Sequence, residues 1–137
     1  MNWRLIFLLS LFGLAMAIGT IWLIPMNVEY ILWPIIIIIC AYIIAKRCTK
    51  NYFLNGFMVS IFNCVWITAA HLIFFSAYME NHMEMANKMH GYMSDHPHRA
   101  MVIMGPIIGI ISGLVLGLFS WIASKMVKKP AAPVEQL

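Results

Sequence analysis

Four long apolar runs divide the chain, and its charged residues lie between these runs or near their ends. The runs cover residues 5–24, 28–45, 53–79 and 101–124. Each run approaches or exceeds the roughly 20 apolar residues with which a helix crosses a hydrocarbon core of about 30 Å. The pattern predicts an all-α integral membrane protein with four antiparallel transmembrane helices. The third run is the longest, so we expect its helix to tilt or to project beyond the bilayer.

Composition supports a lipid environment for the chain. Of the 137 residues, 63% are hydrophobic and only 10% are charged, which leaves too little polar surface for a soluble domain of this size. Residues 1–129 are predicted to form a single transmembrane domain. Residues 130–137 are rich in proline and alanine, and we expect them to form a disordered cytoplasmic tail.

The first run begins like a signal peptide, with Arg4 before an apolar stretch and small residues at Ala15 and Ala17. The apolar stretch nevertheless continues to Ile24, which is too long for the core of a signal peptide. We therefore interpret it as an uncleaved first span.

Charged residues between the runs predict the orientation. Seven of the nine lysines and arginines fall on one side of the predicted membrane, namely Arg4, Lys46, Arg47, Lys50, Lys125, Lys128 and Lys129. The opposite side carries Glu29, Glu80, Glu84 and Asp95, together with Lys88 and Arg99. The positive-inside rule then places both termini in the cytoplasm, and we expect a multi-pass protein of a bacterial inner membrane. Because the basic residues flank apolar runs, the net charge of +4 does not indicate nucleic-acid binding.

A glycine repeat in the fourth run predicts close helix packing. The glycine ridge consists of residues at strict four-residue spacing, namely Gly105, Gly109, Gly113 and Gly117. Small residues let helix backbones approach closely in lipid, where contact depends on packing. One interpretation is packing within the chain, with Gly13 and Ala17 of the first span as the candidate partner. The alternatives are an interface in a homo-oligomer or with other membrane subunits, and, less favoured, the lining of a pore.

Polar side chains follow one face of the third run. Four of them fall within an arc of about 80° on a helical wheel, and Asn63 lies just beside this arc. The polar stripe consists of these five residues, Ser60, Asn63, Cys64, Thr68 and His71. Such residues should face protein or water rather than lipid. They are interpreted either as partners in interhelical hydrogen bonds or as a ligand or ion path in which His71 is the titrating group.

Missing motifs argue against an enzyme. The spans lack the in-membrane carboxylate that small multidrug transporters carry in their first helix, and Cys40, Cys48 and Cys64 form no Cys-x-x-Cys pair. Hydrolase, zinc-protease and phosphate-loop signatures are also absent from the sequence.

The loop before the fourth run is crowded with possible soft metal ligands. Residues 79–104 contain seven of the twelve methionines and four of the five histidines. Thioether and imidazole ligands suit copper, so one hypothesis is a copper site on the outer face. The alternative is an amphipathic segment packed on the membrane interface. The candidate ligands are Met79, His82, Met83, Met85, Met89, His90, Met93, His96 and His98. We also expect the third helix to continue outward through this segment as far as Met93.

The second half of the chain resembles an uncharacterised bacterial family of small four-helix inner-membrane proteins, a domain of unknown function. The resemblance covers residues 51–129 and rests on the segment Asn-Tyr-Phe-Leu-Asn-Gly-Phe at 51–57, the Met- and Glu-rich loop, Met104-Gly105-Pro106, the later glycines and the closing Lys128-Lys129. It implies a fold and a location, and no activity.

Together these features predict a non-enzymatic membrane protein of structural, accessory or assembly type that packs through its glycine ridge. The alternatives are a small oligomeric transporter or channel and the copper-binding module. A polar cavity lined by Asn63, Thr68 and His71 would favour transport, whereas a solid core would favour the accessory role.

Overall fold

A computed structural model describes residues 1–83, 88 and 95–128 of the chain. These residues form five helices: α1 (Trp3–Trp22), α2 (Met26–Arg47), α3 (Tyr52–Ile73), α4 (Phe75–Asn81) and α5 (Pro97–Met126). All but α4 are long and apolar enough to cross a membrane. The predicted all-α fold with four spans is therefore confirmed. The predicted tail at 130–137 lies outside the described residues.

The third run differs most from its prediction. Instead of one helix over 53–79, the helix stops at Ile73, Phe74 departs from helical geometry with φ −105° and ψ 35°, and the short α4 follows. α4 in turn ends at Asn81, so the expected continuous helix toward Met93 is wrong. The break contains neither proline nor glycine, and nothing in the local sequence predicts it.

Contacts between helices define the two ends of the bundle. At the terminal end, the Asn55 side chain accepts a hydrogen bond from the amide of Asn2 at 3.0 Å, and Gly56 lies against Ser120. At the loop end, Thr20 meets His71. α1 therefore runs parallel to α3, and α5 runs antiparallel to both.

The helices are packed most tightly at the terminal end. One apolar cluster joins four helices there and includes Ile6 of α1, Ala41 and Ile44 of α2, Val59 of α3 and Leu116 of α5. Each of these side chains is at least 97% buried. The small side chain of Ala41 lets α2 approach its neighbours closely, and the cluster closes this half of the bundle.

Asparagines fix the turn between α2 and α3. Asn51 has a left-handed backbone with φ 56°, a conformation that asparagine tolerates better than most residues. The Asn55 amide nitrogen donates to the carbonyl of Asn51 at 2.8 Å and to that of Lys50 at 3.3 Å. With its bond from Asn2, Asn55 ties the N-terminus to this turn.

Candidate functional site

A cavity of about 460 Å³ opens between α2, α3 and α5 in the loop half of the bundle. Its depth is set by the terminal-end cluster, since Leu116 and the neighbouring Cys40 form part of its wall. Its apolar wall comes from Ile36, Ile37, Ile67, Met101, Met104 and Ile108. The polar part of the wall is Glu29, Ser60, Asn63, Cys64, Thr68, His71 and Ser112, and the rings of Trp33 and Tyr78 complete it.

Every residue of the polar stripe lines this cavity. The Ser60 hydroxyl donates to the carbonyl of Gly109 at 3.1 Å, and Cys64 Sγ lies 4.0 Å from the Thr68 hydroxyl. His71 Nε2 lies 3.2 Å from the Thr20 hydroxyl of α1. Ser60 and His71 thus bond to other helices, and the whole stripe forms one wall of an open space, while the ligand or ion path stays a prediction.

Asn63 is the least satisfied member of the stripe. It is 7% exposed, and its Oδ1 has no hydrogen-bond partner among the described residues. The side chain lies over Gly13 of α1, where an added Cβ would stand 2.5 Å from Oδ1. A buried amide oxygen without a donor is costly unless water or a ligand supplies one. Asn63 lines the cavity, and its Oδ1, unpaired within the described part of the chain, is buried between α3 and α1.

The glycine ridge lies against α3, so the expected contact with Gly13 and Ala17 of α1 is not what its glycines make. An added Cβ on Gly113 or Gly117 would meet the rings of Phe57 and Phe53 at 2.8 and 2.9 Å. On Gly109 it would stand 2.6 Å from the Cβ of Cys64. The ridge faces one side of α3, formed by Phe53, Phe57, Cys64 and Thr68, and the two helices pack closely along most of their length. Gly105 and Gly109 also line the cavity.

The break at Phe74 builds a stack of three rings at the loop end. The ring centroids of His71 and Tyr78 lie 4.0 Å apart, and those of Tyr78 and His82 lie 4.3 Å apart. In a continuous helix His71 and Tyr78 would be separated by about 10.5 Å along the axis. Only a change of direction between them brings the rings into contact, so the break positions the ring stack beside the cavity mouth.

Glu29 differs from its predicted place in an outer loop. It lies in the first turn of α2, and its side chain lines the cavity. One carboxylate oxygen accepts from the Trp33 indole nitrogen at 3.1 Å, and the other lies 3.6 Å from Nε2 of the buried His82. The spans were expected to hold no carboxylate, and this expectation is wrong at the loop end of α2.

The described candidate copper ligands do not converge. His82 is buried in the ring stack, Met83 is 65% exposed, and His98 stacks on Phe75 with 4.0 Å between centroids. Over residues 1–83, 88 and 95–128, no three histidine, cysteine or acidic side chains are grouped closely enough to hold a metal ion. Met79 and His96 are also described, and the other four candidates, Met85, Met89, His90 and Met93, lie outside the described residues. The copper site stays a prediction.

Sequence patterns could find only part of this site. Helical spacing predicts the polar stripe, whereas Glu29, Trp33 and Tyr78 stand near the ends of apolar runs, where charged and aromatic residues ordinarily mark the membrane boundary. The spacing of Glu29 and Trp33, four residues apart on α2, was the available signal that they share a face. Comparison of the chain with protein-family models, curated proteins and solved structures gives no match. The resemblance over residues 51–129 therefore stays a prediction.

Proposed function

We propose that this protein binds a small lipophilic molecule inside the membrane and acts as a small transporter of that molecule. The observation that carries the proposal is the cavity between α2, α3 and α5, whose wall contains the whole polar stripe. Asn63, Thr68 and His71 all line this cavity, while most of its wall is apolar.

The size and lining of the cavity support a ligand site. Its volume of about 460 Å³ falls within the roughly 300–1,000 Å³ of typical small-molecule sites. Such sites combine apolar walls with a few convergent polar groups that orient the ligand. Here the isoleucines supply the apolar surface, while Asn63 and Thr68 supply polar groups on the opposite helix.

The closed terminal end supports a transporter over an open channel. Ile6, Ile44 and Val59 are each at most 1% exposed, and they fill the space between the helices beyond the cavity. A ligand that enters from the loop end would stop at this cluster. Passage to the other side would then require the helices to separate there, which is the alternating access of a carrier.

The structure gives less support to the accessory role than to transport. That role rested on a glycine ridge available to another subunit, but the ridge glycines have α3 side chains as their nearest neighbours. The ligand site is formed by one chain, so the proposal does not require a homo-oligomer. We retain the prediction that the protein is not an enzyme.

We further propose that both termini face the cytoplasm of a bacterial inner membrane, so that the cavity opens to the outer side. The support is the group of seven basic residues at the terminal end. Reporter fusions after Lys50 should read cytoplasmic, and a fusion near Lys88 should read external. An external reading after Lys50 would reverse the orientation and leave the cavity itself unaffected.

The ligand site is tested by filling it. Ile108 lines the cavity and Ile107 does not, although the two residues are 55% and 45% exposed on the same helix. We would screen purified wild-type protein against small lipophilic compounds by native mass spectrometry, and then compare Ile108→Trp with Ile107→Trp. A bound compound should be lost from Ile108→Trp and kept by Ile107→Trp.

Two results would contradict the proposal. One is the absence of any bound compound from wild-type protein. The other is equal retention by the two tryptophan variants, which would place binding on the lipid-facing surface instead of in the cavity.

A further inference from the structure

The cavity wall carries a single group with a fixed charge at neutral pH. Among the described residues that line it, Glu29 is the only acidic residue, and lysine and arginine are absent. The carboxylate stands at the loop end of the cavity and is only 20% exposed. A carboxylate that has lost most of its water needs a compensating positive group.

The Glu29 carboxylate meets the Trp33 indole and the His82 imidazole. The indole of Trp33 donates one neutral hydrogen bond to Oε1 at 3.1 Å. The other oxygen, Oε2, lies 3.6 Å from His82 Nε2, beyond hydrogen-bond distance. Within the described part of the chain, no lysine or arginine pairs with this carboxylate.

The ring of His82 is held by the Tyr78 carbonyl, and in its neutral form it brings no charge to Glu29. Its Nδ1 lies 3.0 Å from the Tyr78 carbonyl, and a carbonyl only accepts, so Nδ1 carries the hydrogen. In the neutral imidazole Nε2 then bears a lone pair, and this lone pair is directed toward the carboxylate. Nε2 has no hydrogen-bond partner among the described residues. A neutral His82 therefore adds no positive charge beside Glu29, and it does not line the cavity.

From this geometry we infer that the ligand of the cavity is a lipophilic cation whose charge is bound at Glu29. This inference rests on the proposed function and names the class of its ligand. A cation supplies the positive charge that Glu29 lacks, and the ring of Trp33, which lines the same end of the cavity, can attract a cation through its face. The isoleucines and methionines of the deeper wall receive the apolar body of the ligand. An anion would be repelled by Glu29, and a neutral ligand would leave its carboxylate unpaired.

Tetraphenylphosphonium is a suitable probe because its charge is permanent and its body is apolar. We would measure its binding to the full-length protein in detergent by equilibrium dialysis, beside triphenylphosphine oxide as an uncharged aromatic probe. Glu29→Gln removes the carboxylate with little change of shape. Glu80→Gln is the matched control, since Glu80 is exposed at the same end of the molecule and does not line the cavity. Glu29→Asp retains the charge.

Wild type, Glu80→Gln and Glu29→Asp should bind tetraphenylphosphonium, and Glu29→Gln should bind it at least roughly tenfold more weakly, as expected for loss of a charge pair in a partly desolvated site. Triphenylphosphine oxide should bind wild type and Glu29→Gln alike, which also shows that the variant retains its cavity. Equal affinity of wild type and Glu29→Gln for the cation would overturn the inference.

The two probes separate failure of the inference from failure of the proposed function. Binding of the neutral probe alone, lost in Ile108→Trp, would overturn the cation inference and leave the ligand site standing. Binding of neither probe would overturn the cation inference, and an unsuccessful compound screen with wild-type protein would overturn the proposed function separately.

Discussion

The terminal half of the bundle brings helix backbones into contact, whereas the loop half keeps the same helices apart with side chains and an open cavity. At Gly56 an added Cβ would stand 2.8 Å from the carbonyl oxygen of Leu116 and 3.0 Å from the Cα of Gly117. At Gly105, in the other half, its nearest neighbours are atoms of the Thr68 side chain alone. The Ser120 hydroxyl lies nearest at the first site, at 2.6 Å, beside these two backbone atoms, whereas the second site is closed by a threonine side chain that lines the cavity.

The difference shows how one helix pair serves two purposes. α3 and α5 pack through glycines along most of their length, so their approach is fixed by the terminal half. Polar residues are then placed on the remaining α3 surface beside the cavity, where they do not have to satisfy close packing. The terminal half holds the fold together, and the loop half is available for a ligand.

The largest expected effect distinguishes glycines in the two halves. Gly56→Ala should lower the free energy of unfolding by about 1–3 kcal/mol, because the new methyl group meets backbone that cannot move separately. Gly105→Ala should cost less, since Thr68 can turn its hydroxyl aside and alanine favours the helix by roughly 0.5–1 kcal/mol over glycine. Thermal unfolding in detergent measures both. Equal destabilisation would show that the loop half is packed as tightly as the terminal half.

A smaller effect separates two buried asparagines of α3. Asn55 is 1% exposed and bonded to Asn2, Lys50 and Asn51, whereas Asn63 is 7% exposed with an unpaired Oδ1 among the described residues. Asn55→Ala should therefore cost about 1–2 kcal/mol, and Asn63→Ala less than about 1 kcal/mol. The same unfolding assay compares them. A greater loss from Asn63→Ala would mean that its amide supports the fold and is not spare for a ligand.

Two cysteines, one in each half of the bundle, should differ in their reactivity. Cys64 lines the cavity, whereas Cys48 is buried at the terminal end, where burial raises the pKa of its thiol and the N-terminal amine lowers it by a smaller amount. Because the thiolate is the reactive form, maleimide should modify Cys48 several-fold more slowly than Cys64 at neutral pH. Modification of Cys48 should accelerate as the pH rises toward 9. Peptide mass mapping follows both sites in wild-type protein, and faster reaction at Cys48 would contradict the assigned burial.

Sequence patterns predicted the spans and the chemically distinct helix faces. A repeat such as the glycine ridge marks a helix face that packs closely against another helix. Which helix that is depends on the tertiary arrangement of the bundle, so the sequence could not favour α3 over α1. The stripe from Ser60 to His71 was found because helical spacing brings it to one face. Whether that face meets a solid core or a cavity depends on how far α2 lies from α3 and α5. Sequence periodicity does not predict this distance.

Two features of the site could not be predicted, for different reasons. Glu29 stands near the end of an apolar run, where a charge ordinarily faces water, and its inward direction depends on the exact start of α2. The break at Phe74 occurs without proline or glycine, and it is accompanied by contacts distant in sequence, including Trp22 against Phe74 with 5.0 Å between ring centroids. Both features require the tertiary arrangement to be known.

The central claim, that the loop half encloses an open cavity, is tested most directly by spin-label accessibility at two adjacent residues. Labels placed at Ile107→Cys and Ile108→Cys, with the natural cysteines replaced, would be compared in lipid bilayers using a water-soluble nickel complex and oxygen as relaxing agents. We expect the label at 108 to be relaxed strongly by the nickel complex and the label at 107 mainly by oxygen. Equal, oxygen-dominated relaxation at both positions would show two lipid-facing residues and contradict the cavity.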